Sequence, residues 1–567
     1  MELKWIVRNN DNSTEISKLA QEINVSEPIA RILYNRGVTD FESARRFFRA
    51  DVDELNDPFL FNQMELAADR IIHALKNDEK IMIYGDYDVD GITSVSLMIR
   101  VLRDELKCDP LYYIPDRQAE GYGISLVGIN DAQGKDVSLI ISVDCGITAL
   151  EEIEAANAAG IDVIIVDHHE AGPELPKAYA ILDPKCENEN YPFKELAGVG
   201  VVYKLLQGLF ARMKLNDKVL KNYTDFVALG SAADIVPLID ENRILVRAGL
   251  KEITNQKKNT GLQALITSAG LKDKAIGTGQ IVFMVAPRIN AVGRMGDASR
   301  AVHLLTTDNE QQAKNIAAIL ESENRTRKAI DEQTFTDALD VIEKNFEPEK
   351  VSAFVLSAEG WHSGVIGIVA SRIVEKYYRP TVLIAVEDGV GKGSARSIPG
   401  FDLYEALKEC QDLMIGFGGH KYAAGLTIKA ENIAPFQKRL EQVAAGMMDE
   451  EMKKPKLHIE DEIRLKEIDT KFFRILKQFA PFGPQNMRPV FMSKNLEIVG
   501  TPAVVGKNHL KFKVRQDGVV MDAIGFNLGH LLYRLAPGDN KLHIAYVIDE
   551  NEWQGQVTIQ LRIKDLV

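Results

Sequence analysis

The sequence has no long apolar stretch. Runs such as Leu139 to Val143 are far too short to cross a bilayer, and the opening MELKWIVRNN lacks the apolar core of a signal peptide. The expectation is a soluble, cytoplasmic protein with no membrane partner. Cysteine is scarce. Cys108, Cys145, Cys186 and Cys410 are the only four, and no two form a CxxC pair. That argues against a disulfide framework and a thiolate zinc site, and for reduced structural thiols. There is no long internal repeat and no low-complexity tract. Positive charge is also short, with 68 Lys and Arg against 82 Asp and Glu, a net charge of −14. Taken alone, this argues against a nucleic-acid partner. The objection weakens if several carboxylates sit on bound cations. An average also says nothing against a local basic groove.

What is present fits a globular chain. With 567 residues, 46% hydrophobic and 26% charged, it has room for three or four domains and a large core. Residues 1–75 read as helical. Residues 76–307 alternate strand candidates with helical patterns. The strands are Lys80 to Tyr84, Leu111 to Ile114, Leu139 to Val143, Val163 to Val166 and Ala178 to Leu182, with helices over Ile92 to Leu106 and Leu150 to Ala159. This predicts an α/β, doubly wound sheet. Residues 308–347 hold no Gly and no Pro, with Asp308 as a candidate cap and Pro348 as the stop. One long connecting helix, or two shorter ones, is expected there.

A second α/β unit follows over 348–448, with strands from Ser352 to Leu356 and Thr381 to Ala385. From 455 to 567 short β-type runs dominate: Val490 to Met492, Leu496 to Val499, Leu510 to Val514, Leu542 to Ile548 and Gln556 to Ile563. They predict an all-β, OB-type barrel.

The densest chemistry starts directly after the first of these strands, at Tyr84-Gly85-Asp86-Tyr87-Asp88-Val89-Asp90-Gly91. Ligands gather at the carboxyl ends of strands in such sheets. Three alternating carboxylates there repel one another unless a divalent cation supplies positive charge and takes oxygen ligands. An acidic turn or a set of helix caps is the competing reading. The pattern recurs. Asp144 ends Leu-Ile-Ile-Ser-Val, Asp167-His168-His169 ends Val-Ile-Ile-Val, and Asp234 lies in Ser231-Ala232-Ala233-Asp234-Ile235-Val236-Pro237. Oxygen-rich ligation with one or two imidazoles suits Mn2+ or Mg2+. A bridging carboxylate would allow two ions, the arrangement used for phosphoryl hydrolysis.

In order and content, these four blocks resemble the motifs of the DHH phosphoesterase family. The resemblance implies Asp86, Asp88, Asp90, Asp144, His168 and Asp234 as metal ligands, with Asp144 as the bridge. It implies His169 beside the scissile phosphate, as a ligand or a catalytic electrophile, and Asp167 as the group that orients a histidine.

Further blocks resemble RecJ-type members of that family. Pro115-Asp116-Arg117-Gln118-Ala119-Glu120-Gly121-Tyr122-Gly123 offers Arg117 for phosphate and Tyr122 for base stacking, and on local grounds is equally a surface turn. Pro287-Arg288-Ile289-Asn290-Ala291-Val292-Gly293-Arg294-Met295 offers Arg288 and Arg294, either of which can also be structural. Trp361-His362-Ser363-Gly364-Val365-Ile366-Gly367 resembles the family's WHxGVIGIVASR segment, and Gly416-Phe417-Gly418-Gly419-His420 is similar to the GGH block of the DHH-associated domain. Gly391-Lys392-Gly393-Ser394-Ala395-Arg396-Ser397 reads as a Gly-rich loop that lets the backbone approach a phosphate while Ser394 and Arg396 contact its oxygens, although tight turns also produce Gly-rich loops. Arg117, Arg288 or Arg294, Ser394 and Arg396 are expected to build a pocket for a terminal phosphate between the two α/β units, with His420 nearby. Lys507, Lys511 and Lys513 alternate with apolar residues, so one strand face is basic, as suits single strands or a protected edge. Pro481-Phe482-Gly483-Pro484-Gln485-Asn486 departs from the family's PFGxGN at Gln485.

The resemblance implies a 5′-3′ exonuclease on single-stranded DNA that works in repair and recombination. It also implies a monomer working alongside a RecQ-type helicase and a single-strand binding protein. A nanoRNA or cyclic-dinucleotide phosphodiesterase is the alternative enzyme, and a degenerate scaffold that has lost its metal ligands is the non-enzyme alternative.

Overall fold

The computed structural model describes residues 3–8, 12–117, 119–256, 258–535, 541–553 and 555–567. The chain divides into two compact units, one of Met1–Arg8 with Glu323–Ile459, the other of Asn9–Ser322 with Glu460–Val567.

The larger unit is built on a parallel sheet of β2 (Ile81–Gly85), β3 (Leu111–Tyr113), β4 (Leu139–Val143), β5 (Asp162–Val166) and β6 (Ala180–Leu182), in the order β3-β2-β4-β5-β6. The expected doubly wound sheet is present. Its central strands read as nearly continuous apolar runs, broken in β4 by the buried Ser142, because both faces are covered. Ile81, Ile83, Ile141 and Ile164 face one core, while Met82, Tyr84, Ile140 and Ile165 face another. The chain leaves β2 for β3 on one side and returns to β4 on the other, which opens a crevice at the carboxyl ends of β2 and β4. The register aligns Gly85 with Val143, Val143 with Val166, and Val166 with Leu182. The residues that come next, Asp86, Asp144, Asp167 and Asp183, therefore form one row of acids.

The Arg288–Arg294 block lies in helix Ala286–Met295, entered through a π-helical turn, Ile281–Val285. The same unit holds the C-terminal barrel: β14 (Phe491–Val505), β15 (His509–Gln516), β16 (Val519–Gly525), β17 (Leu542–Trp553) and β18 (Gln556–Leu566). β14 also pairs with β17, which closes five strands on themselves, while the short β13 (Asp461–Glu462) pairs with β14. Two expectations change here. The runs around Met492 and Val499 are one long strand with irregular register after Val499. β16, which carries Asp522 in its middle, is a strand the sequence pattern does not predict. Along β15, Leu510, Phe512 and Val514 are buried while Lys511 and Lys513 are exposed, as the alternation predicts.

The smaller unit carries a sheet of order β10-β11-β9-β8-β7, from β7 (Phe354–Glu359), β8 (Thr381–Glu387), β9 (Val390–Arg396), β10 (Gly416–His420) and β11 (Ala423–Lys429). The two Gly-rich blocks, the first of them expected as a loop, are thus strands. Their glycines make room for neighbours. A Cβ at Gly391 would lie 2.5 Å from Ile384, and one at Gly393 2.7 Å from Leu426. The opening residues also depart from the helical expectation. β1 (Lys4–Val7) pairs in parallel with β12 (Lys456–Ile459). Helix Glu310–Asn345 is continuous and contributes to both units, so the single-helix alternative holds.

Candidate metal centre

Each acid of the first block has a separate local cause. Asp86 directly follows β2. Asp88 caps helix Val89–Asp104, accepting the backbone N–H of Asp90 at 2.9 Å and of Gly91 at 3.0 Å. Asp90 lies in that helix's first turn and accepts from Gly198 N at 2.7 Å and Val199 N at 3.1 Å, at the start of helix Gly198–Arg212. Asp144 sits in the left-handed region, at φ 60°, a conformation that costs a non-glycine residue and fixes the direction of its carboxylate.

His168 is the hub. Its Nε2 lies 3.1 Å from Asp144 Oδ1, 3.7 Å from Asp234 Oδ2 and 3.8 Å from Asp90 Oδ2. Ligand atoms of Asp144, His168 and His169 lie within 4.8 Å of one another, and so do those of Asp90, His168 and Asp234. Asp86 and Asp88 border this cluster without joining either triad. Asp86 Oδ1, Asp144 Oδ1 and His168 Nε2 are buried and no well-directed hydrogen bond satisfies them, although the last two approach to 3.1 Å. Orphaned acceptors in a dry site are costly. Their convergence fits a divalent cation with oxygen and imidazole ligands.

The titration of the cluster points the same way. Burial, then the Asp88 charge, pushes Asp86 up to about 8. Burial and neighbouring aspartates raise Asp90 and Asp144 well above the carboxylate range. Burial and Asp88 bring Asp234 to about 7. Burial, then the neighbouring His169, lowers His168 to about 3, so its imidazole is neutral and available to a metal.

His169 behaves oppositely. Burial lowers it, but the Asp167 carboxylate, 2.7 Å from its Nδ1, carries it to about 9. Burial pushes Asp167 up, yet the hydrogen bond and charge of His169 and the Ile147 N–H outweigh that and keep it ionised. His169 is thus an oriented imidazolium beside the cluster. Tyr122 Oη lies 3.1 Å from its Nε2, the nitrogen that Asp167 leaves open, and donates to the Asp144 carbonyl at 3.2 Å.

The basic residues separate. Arg117 and Arg294 line one cavity of about 470 Å³ beside Tyr87, and the Arg117 guanidinium sits over the Tyr87 ring at 5.1 Å. Arg288 is not brought there. It is buried, with Nε 2.7 Å from Glu321. In the smaller unit, Arg396 Nη1 donates to Ser394 Oγ at 3.2 Å. Both face the first turn of helix Ile366–Tyr377, where a Cβ at Gly367 would lie 2.8 Å from each. A helix N-terminus with a hydroxyl and a guanidinium suits an anion. His420 is exposed, one strand across from Arg396 through Ala423.

Sequence reading misses three contributors. Asp183 closes β6 as the other acids close their strands. It is buried, and burial raises it to about 7. The strand-end rule applied to Leu182-Asp183 would have found it. A Cβ at Gly198 would lie 2.5 Å from Asp144 Oδ1, and one at Gly230 2.6 Å from Asp90 Oδ1. These glycines let two helices approach the carboxylates, a requirement set by tertiary packing alone.

Comparison with known proteins accords with this geometry. Residues 80–231 match the DHH family, N-terminal domain, residues 350–446 the DHHA1 domain, and residues 459–565 the RecJ OB domain. The single-stranded-DNA-specific exonuclease RecJ of Bacillus subtilis is 38% identical over 566 residues, covering 99% of this chain and 70% of that protein. Its counterpart from Salmonella typhimurium is 33% identical, covering 95% and 96%. The crystal structure of RecJ in complex with Mn2+ from Thermus thermophilus superposes with a TM-score of 0.85 at 28% identity, covering 100% of this chain and 79% of that one. The chain belongs to the RecJ family of the DHH phosphoesterases.

Proposed function

We propose that this chain is a single-stranded-DNA-specific exonuclease that removes nucleotides from a 5′ end with two divalent cations, Mn2+ or Mg2+. The observation that carries the reading is the convergence of the buried Asp86 Oδ1, Asp144 Oδ1 and His168 Nε2 beside His169, whose Nδ1 lies 2.7 Å from the Asp167 carboxylate. The activity named for the relatives, and the Mn2+ in the similar crystal structure, support it.

Asp86, Asp88, Asp90, Asp144, His168 and Asp234 would hold the ions, with Asp144 between them. When bound, they lower the pKa of water and stabilise charge building on the phosphate. His169, kept protonated by Asp167, donates to a phosphate oxygen and strengthens that contact as negative charge accumulates. Tyr122 restrains the His169 ring and offers a face to a base. Arg117 and Arg294 take a backbone phosphate in their shared cavity. Ser394 and Arg396, at a helix N-terminus, bind a terminal phosphate, and His420 lies beside them. The basic face of β15 takes the strand further along.

Chemistry falls to residues 76–307, end recognition to 348–448 and strand binding to 455–567. The protein acts as a cytoplasmic monomer in DNA repair and recombination, with a RecQ-type helicase and a single-strand binding protein as partners. Digestion of strands labelled at either end, with Mn2+ or Mg2+ and with Asp144→Ala as control, tests the core of this reading. Early release of the 3′ label would refute the polarity. Absence of metal-dependent hydrolysis would refute the activity.

A further inference from the structure

The segment after Asp234 is strained and is held by the barrel side of its unit. Ile235 is a β-branched residue at φ 63° and is exposed. Such a conformation persists only where the surroundings enforce it. Three residues on, Leu238 is buried, and its N–H donates to the Pro484 carbonyl at 2.9 Å. The Leu238 side chain fills the space beside Gly483, where a Cβ would meet it at 2.6 Å. Asn242 donates to the Pro237 carbonyl at 3.0 Å.

The loop that receives Leu238 is rigid. Gly483 and Asn486 exchange backbone hydrogen bonds at 3.1 and 2.9 Å, and the buried Asn486 amide donates to the Phe479 and Pro481 carbonyls at 2.9 and 2.7 Å. Gln485, at φ 55°, completes the turn in the left-handed region. The loop is also tied back to helix Asp240–Lys251. Arg243 is buried on that helix and donates to the Phe479 carbonyl at 2.7 Å and the Gln478 carbonyl at 3.1 Å, with its guanidinium 3.9 Å over Phe47. Thr278 Oγ1 donates to the Phe482 carbonyl at 2.6 Å.

We propose that the Pro481–Asn486 loop is a positioning element for the metal centre, which sets the place of Asp234 by seating Leu238. The barrel segment then contributes to cation affinity, besides any grip on a nucleic-acid strand. The proposal rests on the reading of Asp234 as a metal ligand.

The test uses the full chain, stripped of metal and titrated calorimetrically with Mn2+. Gly483→Val fills the Leu238 seat and should weaken Mn2+ binding about tenfold, the usual scale for a group that orients a ligand. Adding Leu238→Ala to Gly483→Val reopens the seat and should return most of the affinity. Where Gly483→Val shows no cooperative melt, Gly483→Ala runs the same cycle with a smaller push. Unchanged Mn2+ affinity in a folded Gly483 variant overturns the proposal, and so does a loss that Leu238→Ala does not reverse. Asp234→Ala is titrated in parallel. If it binds Mn2+ like the parent chain, the ligand reading itself fails. If it loses affinity while the Gly483 variants do not, the positioning inference alone fails.

Discussion

Raising the pH from 6.5 to 8 should destabilise the metal-free protein and leave the Mn2+-loaded protein intact. The cause lies in groups whose pKa is higher in the folded chain than in the unfolded one. Asp86 is pushed up to about 8, and His169 to about 9. Between pH 6.5 and 8 the folded state binds protons that the unfolded state has released, so stability falls with pH. A fully buried group of this kind contributes a slope of about 1.4 kcal/mol per pH unit. Asp86 is buried and takes most of that slope. The His169 side chain is 42% exposed, so solvent screening discounts its share. Together the two cost on the order of 2–3 kcal/mol over the interval, and Asp90, Asp144, Asp183 and Asp234, shifted the same way, add to the loss.

His168, lowered to about 3, acts in the opposite direction, mostly below the ordinary histidine pKa, and offsets only about 0.4 kcal/mol within this window. In a unit of this size the loss corresponds to several degrees of melting temperature. Bound cations keep the carboxylates ionised and bind better as protons leave, so the slope should flatten or invert with Mn2+. Scanning calorimetry in chelator and in Mn2+ at both pH values measures this, with Asp86→Asn removing its share of the slope. A metal-free melting temperature that is flat or rises with pH would refute the electrostatic reading.

Gly198→Ala places a methyl group against Asp144 and should weaken Mn2+ binding about 10- to 100-fold in a titration, with the fold retained by circular dichroism. His169→Gln should lower kcat by about 10² or more, with single-strand affinity changed only a few-fold in a filter-binding assay. Arg288→Ala and Arg294→Ala should differ in kind. The first removes the guanidinium 2.7 Å from the partly buried Glu321 and should cost about 1–3 kcal/mol of stability in denaturant. The second should weaken strand binding, with the smaller loss of stability of the two. Lys511→Ala should reduce the salt dependence of single-strand binding by about 0.7 in the log–log slope, the value for one phosphate contact.

The ease of reading the catalytic sheet has a physical reason. A parallel strand covered on both faces is apolar almost throughout, so Leu139 to Val143 stands out despite Ser142, and the first charged residue after it sits at the crevice. The same logic extends to Asp183, but Asp183-Pro184 also reads as an ordinary turn. Gly198 and Gly230 could not be read, because their need comes from carboxylates that approach from distant segments. The glycines of β9 misled for the same reason. Alone they signal a loop, and only against Ile384 and Leu426 do they become places where neighbouring side chains fit. The Arg117 and Arg294 cavity was legible as two separate basic blocks. That Arg294 shares it, while Arg288 pairs with Glu321, depends on which helix faces point inward.

The pairing of β1 with β12 bears on how the chain folds as it is made. Lys4 to Val7 emerge early, yet their register partners, Lys456 to Ile459, follow only after the whole parallel sheet and the long helix have been synthesised. Pairing so distant in sequence is slow, because the ends of a very long loop must meet. The parallel sheet can therefore assemble first, while the strand that precedes it waits as an unpaired edge. Proteolytic cleavage just after the long helix, near Pro348, would part the two strands of this small sheet. Every acid of the metal centre would then lie on the first fragment, and Ser394 with Arg396 on the second.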